Sequence, residues 1–161
     1  MSSGAPAVLF PLGLAQARPQ SVLFACSHNA IRSPMAEALG RGLFGKEIYF
    51  ASAGLRAGEP DPFAAAIMEE IGVDFSRRRP QTFDDLEDMS FDMIISLSPQ
   101  AHHRALEYTR QLPIQAIYWP TIDPSATQGS RDTILDAYRS VRDALAGRVK
   151  EAFAWRPMGG V

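Results

Sequence analysis

Four short stretches of this chain are dominated by apolar residues. Residues 21–25 (Ser21-Val22-Leu23-Phe24-Ala25) run straight into Cys26, and residues 47–53, 91–97 and 114–119 have the same texture. Apolar runs of this length predict strands buried on both faces. Between them lies helical text. Ser33-Pro34, Asp61-Pro62 and Ser98-Pro99 each set a capping side chain before a proline at the first helical position, a start signal that predicts helices over 34–44, 62–71 and 99–108. Residues 82–86 can begin a further short helix. The segment 130–153 repeats apolar residues at Ile134, Tyr138, Val141, Leu145, Val149 and Ala152, a helical stripe that reads as core. Strand and helix in alternation predict a three-layer α/β sandwich, with a four-stranded parallel sheet and helices on both faces. There are no internal repeats and no second domain.

Residues 1–20 break the pattern. They carry one charge, Arg18, and three prolines, Pro6, Pro11 and Pro19. They are expected to form a loosely held extension docked through Phe10 and Leu12, with the folded domain spanning 21–161. Sixteen basic and eighteen acidic residues leave a net charge of −2, so neither nucleic acid nor an anionic membrane is an expected partner. The longest apolar run, 5–17, contains Pro6, Pro11 and Gly13 and is too short to span a bilayer. No basic stretch precedes it, as a secretory signal would require. Cys26 is the only cysteine among the 161 residues, which excludes a disulfide framework or a multi-cysteine zinc site and makes a reducing cytoplasm the expected compartment. No metal or cofactor is called for, and a monomer or weak homodimer is expected.

That single cysteine stands where the first strand ends, in the string Cys26-Ser27-His28-Asn29-Ala30-Ile31-Arg32-Ser33-Pro34. A loop from the carboxyl end of a parallel strand to a helix N-terminus is where open α/β sheets bind ligands. Successive backbone N–H groups and the helix dipole there suit a tetrahedral oxyanion, whether phosphate, sulfate or arsenate. The same field favours a thiolate. Arg32 closes the loop with a planar fork that can hold two anion oxygens. A thiol nucleophile beside an arginine and an amide cradle is equipped to attack phosphorus in a phosphate ester, or arsenic in arsenate.

The extended string, continuing through Met35-Ala36-Glu37-Ala38, resembles the phosphate loop of the low-molecular-weight protein tyrosine phosphatases, a family that includes related arsenate reductases. The resemblance continues in Ser52-Ala53-Gly54, Ile71-Gly72-Val73-Asp74, Arg79-Pro80 and Asp123-Pro124, and covers 21–153. It implies that Cys26 forms a phosphocysteine and that Arg32 holds the phosphoryl oxygens, with Ser27, His28, Asn29, Ala30, Ile31 and Ser33 completing the cradle. It further implies that Ser33 donates its hydroxyl to the Cys26 sulfur and that Asn29 takes a left-handed backbone, which Asn tolerates. Asp123 is implied as the general acid and then base, aimed by Pro124. His28 is equally suited to touching substrate or shaping the loop.

The expected substrate is therefore a phosphorylated protein or a small aryl phosphate. Two departures bear on it. Asp123-Pro124 is followed by Ser125-Ala126-Thr127, and Gly54 by Leu55-Arg56-Ala57-Gly58, where tyrosine phosphatases of the family tend to carry aromatics that wall the pocket. These features, with Trp119-Pro120, are more like the arsenate-reductase branch. The stretch 95–100 nevertheless holds no cysteine, so an internal dithiol relay is impossible, and the alternative activity is arsenate reduction with an external thiol such as glutathione or mycothiol. His102 and His103 are expected on a solvated helix face, and Arg77-Arg78-Arg79 as a surface run.

Overall fold

The structure is a computed structural model that describes residues 7–9 and 15–154. Its first element is a two-stranded antiparallel ribbon of β1 (Ala7–Leu9) and β2 (Ala15–Ala17), in a segment whose sequence showed no alternating pattern. Phe10 and Leu12, expected to dock this segment, lie outside the described residues. The remaining strands are β3 (Ser21–Cys26), β4 (Tyr49–Gly54), β5 (Met93–Ser96) and β6 (Gln115–Tyr118). They form one parallel sheet in the order β4-β3-β5-β6.

This order puts β3 inside the sheet, between the strand that follows it and the later pair. The chain leaves β3 to one side and returns on the other, so the carboxyl end of β3, at Cys26, is the switch point where a crevice opens. Strand periodicity divides the side chains between two cores. Val22, Phe24, Phe50, Met93 and Ile95 face one side, while Leu23, Ala25, Ala51, Ala53 and Ile94 face the other. Helices α1 (Arg32–Phe44) and α4 (Arg131–Phe153) cover the first face, and α2 (Pro62–Glu69) rides on α4. Helix α3 (Pro99–Thr109) and a 3-10 turn at Phe83–Asp85 cover the second. Phe24 is fully buried between the rings of Phe50 and Trp119, each 5.9 Å away. Removing a ring of this kind typically costs about 3–5 kcal/mol.

The helix starts at Asp61 and Ser98 are capped as their sequences imply, and Ser130 caps α4 as well. Asp61 accepts from the Phe63 and Ala64 amides, Ser98 from Ala101 and Ser130 from Thr133. Ser33 is different. Helix α1 begins at Arg32, one residue before it, and Ile31 stands at the N-cap with no side-chain cap. The Ser33 hydroxyl is turned instead to Cys26 and Asn29. The first helical turn thereby belongs to the loop, with the Arg32 and Ser33 amides at its start.

The α2–α4 contact is tied by charge. Glu70, just after α2, receives Arg139 at 2.7 Å and Arg142 at 2.9 Å from α4. These two guanidinium groups hold the Glu70 carboxyl at about 2, against an ordinary 4.5. A carboxyl depressed in the folded state contributes stability above its unfolded value, and that contribution is lost as pH falls. Glu70→Gln should lower Tm at pH 7, with the gap from the parent closing between pH 4.5 and about 2. Thermal melts across that range check it; a gap independent of pH would show that the ion pairs contribute nothing.

Candidate active site

Seven residues, Cys26 to Arg32, carry the chain from the end of β3 to the start of α1. Their carbonyls are drawn outward. Leu55, Arg56 and Gly58 donate their amides to the carbonyls of Cys26, Ser27 and His28 at 3.2, 3.0 and 2.9 Å. With those oxygens engaged on the rim, the loop amides are left for the centre. Gly54 makes the fit possible, since a Cβ there would sit 2.7 Å from the Asn29 nitrogen and 2.9 Å from the His28 carbonyl carbon. The Ser27 hydroxyl donates to Ser98, the residue that caps α3, at 3.1 Å.

At the foot of the loop the Cys26 sulfur lies 3.0 Å from the Ser33 hydroxyl and accepts the Asn29 amide at 3.3 Å. Cys26, Asn29 and Ser33 are all buried, at 2%, 0% and 0% exposure. Asn29 has a left-handed backbone, with φ of 51°, the only non-glycine residue with positive φ among those described. Such a conformation persists where surroundings over-determine it. Here they do: the Asn29 side-chain amide donates to Ser33 and to Ser52 on β4, both at 2.9 Å, and its oxygen accepts from Gln81 at 2.9 Å and from Arg78.

Arg32 is the buried cation of the site. It donates to the Thr121 carbonyl at 3.0 Å, and its other terminal nitrogen is 3.8 Å from the Asp123 carboxylate. Asp123 is held by the amide and hydroxyl of Ser125, at 2.9 and 2.7 Å. Burial pushes the Asp123 carboxyl up, but the bonds from Ser125 and the charges of Arg32 and His28 outweigh it and leave it below the ordinary value. The crevice between these groups has a volume of about 240 Å³ and is lined by Cys26, His28, Ala30, Ile31 and Arg32 on one side and by Gly58, Glu59, Asp61, Asp123 and Ser125 on the other. None of these residues is Phe, Tyr or Trp. Deeper in the wall, the Tyr138 hydroxyl donates to Asp61 at 2.9 Å. Burial and the Asp61 carboxylate hold that phenol well above its ordinary value, so it stays a donor.

The residues singled out by sequence are thus brought together: Cys26 to Ser33 in the loop, and Asp123 across from it. Two sequence readings need correction. Arg78 is no surface residue of an arginine run; its guanidinium bonds the Asn29 carbonyl at 2.9 Å, the Asn29 side-chain oxygen and Ser52, while Arg77 and Arg79 are exposed as expected. Its partner is 49 positions away, and nothing local distinguishes it from its neighbours. His102 is half-buried, with its ring stacked on Tyr118 at 5.1 Å, because it turns toward β6 while His103 faces solvent. Among the described residues, no group of three or more His, Cys, Asp or Glu side chains is placed to hold a metal ion. No described helix is long and apolar enough to cross a membrane.

Comparison with known proteins agrees with this geometry. The family described as low molecular weight phosphotyrosine protein phosphatase matches residues 21–153. An arsenate reductase of Halalkalibacterium halodurans is 30% identical over 129 residues, covering 80% of this chain and 91% of its own. A glutaredoxin arsenate reductase of Synechocystis is 29% identical, covering 84% and 97%. Among solved structures, an arsenate reductase in its oxidized state superposes with a TM-score of 0.70 at 28% identity, covering 84% of this chain and 97% of its own. A tyrosine phosphatase of Erwinia amylovora gives 0.68 at 23% identity, covering 84% and 91%, which is a likeness of fold.

The close approach at Gly54 makes a direct test of the loop. Gly54→Ala forces a methyl into the Asn29 backbone, an overpacking that should cost about 2 kcal/mol and lower Tm by about 4–8 °C. It should also weaken binding of inorganic phosphate measured by calorimetry. Unchanged Tm and unchanged phosphate affinity would mean that the loop does not rest on this contact.

Proposed function

The chain belongs to the low molecular weight phosphotyrosine protein phosphatase family, and from that premise we propose that it is a cysteine-dependent phosphomonoester hydrolase acting on phosphotyrosine in proteins or on small aryl phosphates. The observation that carries this reading is a buried thiol 3.0 Å from a serine hydroxyl, with Arg32 and Asp123 converging on the same crevice. Binding an anion needs neither a thiol nor an acid. Their combination suits bond making and breaking at phosphorus.

The phosphoryl oxygens rest on the loop amides and the Arg32 fork, which gives up little to do so because it already faces the crevice. The Cys26 thiolate attacks phosphorus in line. The bond to the ester oxygen breaks, and Asp123 gives that oxygen a proton. In the second half, Asp123 takes a proton from water as the water attacks phosphorus; the P–S bond breaks and the thiolate returns, its charge met by the Ser33 hydroxyl. Ser125, Arg32 and His28 hold the Asp123 carboxyl below its ordinary value, and a substrate bound as the monoanion supplies the proton that Asp123 hands to the leaving oxygen. The bound anion then offsets Arg32 and favours the protonated acid.

A second activity is favoured by the names of the curated relatives and by the absence of Phe, Tyr and Trp among the crevice residues. Here the thiolate attacks arsenate and releases water. One external thiol then attacks the Cys26 sulfur, giving a mixed disulfide and arsenite, with the electron pair of the S–As bond passing to arsenic. A second external thiol frees Cys26 as the thiol pair is oxidised. The sequence holds no second cysteine, so both reducing equivalents must come from outside.

Kinetics separate these roles. Cys26→Ser should abolish turnover while still binding phosphate. Arg32→Lys should lose about 10²–10³-fold in kcat, as a point ammonium cannot replace the fork. The parent's kcat/KM should fall above about pH 6, where a phosphate monoester loses its second proton, and Asp123→Asn should flatten that limb. Asp123→Asn should also slow phenyl phosphate far more than a nitrophenyl ester. An Asp123→Asn variant with the parent's slope and equal slowing of both esters would remove the proton from Asp123. Arsenate reduction, where measured, should vanish without small thiol even with thioredoxin and its reductase present; persistence would contradict the single-thiol chemistry.

A further inference from the structure

Behind the phosphate loop, on the side away from the crevice, a second cavity of about 520 Å³ lies between α1 and residues 72–81. Arg78 forms part of its wall and reaches into the loop. Its guanidinium carries only donors. One terminal nitrogen donates to the Asn29 carbonyl at 2.9 Å, and the other to the Asn29 side-chain oxygen and to Ser52 at 3.3 Å.

The hydrogen bonds that follow have a direction. Arg78 and the Gln81 amide both require an acceptor, so the Asn29 oxygen faces them. The Asn29 NH₂ must then face Ser33 and Ser52, at 2.9 Å each. Ser33 receives that donor on its oxygen, which leaves its own proton for the Cys26 sulfur 3.0 Å away. Ser52 likewise donates its hydroxyl hydrogen bond to the Glu37 carboxylate at 2.5 Å. We infer that Arg78 is a positioning residue for the nucleophile: it fixes the left-handed Asn29 and the direction of the hydrogen-bond chain that ends on Cys26, and it supplies the loop with a second cation opposite Arg32.

The electrostatics agree. Burial pulls the Arg78 guanidinium below its ordinary value, while the charges of Glu37 and Cys26 act the other way. Cys26 and Arg78 therefore lie within reach of one another's fields. The other charged groups on this side are Arg32, Glu37 and Arg41 from α1, the last paired with Glu37 at 2.8 Å, with the titratable His28 in the loop and Glu59, Asp61 and Asp123 across the crevice. Removing Arg78 takes one cation from that set, and with it one of the charges that favour a thiolate.

Alkylation of Cys26 by iodoacetamide reads this without reliance on either proposed activity, because it reports the thiolate directly. Its rate is followed against pH, and again at fixed pH against inorganic phosphate, in the parent, Arg78→Gln and Arg78→Lys, with folding checked by circular dichroism. Arg78→Gln should move the alkylation midpoint up by about one pH unit and raise the half-protecting phosphate concentration about tenfold. Arg78→Lys keeps the charge and loses the two-pronged hold on Asn29. It should restore most of the midpoint and leave phosphate protection several-fold weaker. Should Arg78→Gln fail to fold, Arg78→Lys decides through phosphate protection alone. A folded Arg78→Gln with the parent's midpoint and phosphate protection, or in its place a folded Arg78→Lys with the parent's phosphate protection, would overturn the assignment.

Discussion

The structure turns on keeping one left-handed residue in place inside a seven-residue loop. Asn29 is buried, has φ of 51°, and is held by hydrogen bonds from Arg78 and Gln81 and to Ser33 and Ser52. An asparagine tolerates that conformation better than most residues, yet it remains costly without such partners. With Asn29 so placed, the loop carbonyls meet the amides of 55–58 on the rim, the early start of α1 brings Arg32 into the crevice, and the Cys26 sulfur meets both a backbone amide and a hydroxyl.

The sheet supplies the platform. β3 is paired on both sides, with Cys26 in register with Gly54. The residues that follow β5 and β6 supply the rest of the site: Leu97 and Thr121 offer carbonyls to Arg32, and Asp123 stands just beyond. Segments distant in sequence thus meet at one end of the sheet because all four strands point the same way. Arg32 faces the crevice, and beside it the bonds from Ser125 and the charges of Arg32 and His28 hold the Asp123 carboxyl below its ordinary value.

Much of this was legible in the chain. The four parallel strands and the helices follow from apolar runs and from capping residues set before proline, because both signals are local. The loop was legible for the same reason: Cys26, Asn29, Arg32 and Ser33 lie within eight consecutive positions. What escaped is what depends on distant partners. Arg78 looks like the middle of a charged triplet until Asn29 is found 49 residues away. Asp61 reads as a helix cap, which it is, and gives no sign that Tyr138 bonds its second oxygen. The β1–β2 ribbon consists of two three-residue strands, too short for an alternating pattern to register. Ser33 before Pro34 carries a common helix-start signal, yet α1 begins at Arg32, and the Ser33 hydroxyl lies against the thiol as the family resemblance implies.

The central claim is that the Cys26 sulfur becomes bonded to phosphorus during turnover. Rapid acid quench of Asp123→Asn during hydrolysis of an activated nitrophenyl phosphate tests it, because this leaving group needs little acid help while the hydrolytic half still lacks its base. The peptide bearing Cys26 should then carry one phosphoryl group, seen by mass spectrometry, and Cys26→Ser should neither turn over nor release the nitrophenol in a burst. Nitrophenol release with no phosphoryl group on any peptide, or with the group on a residue other than Cys26, would contradict the account.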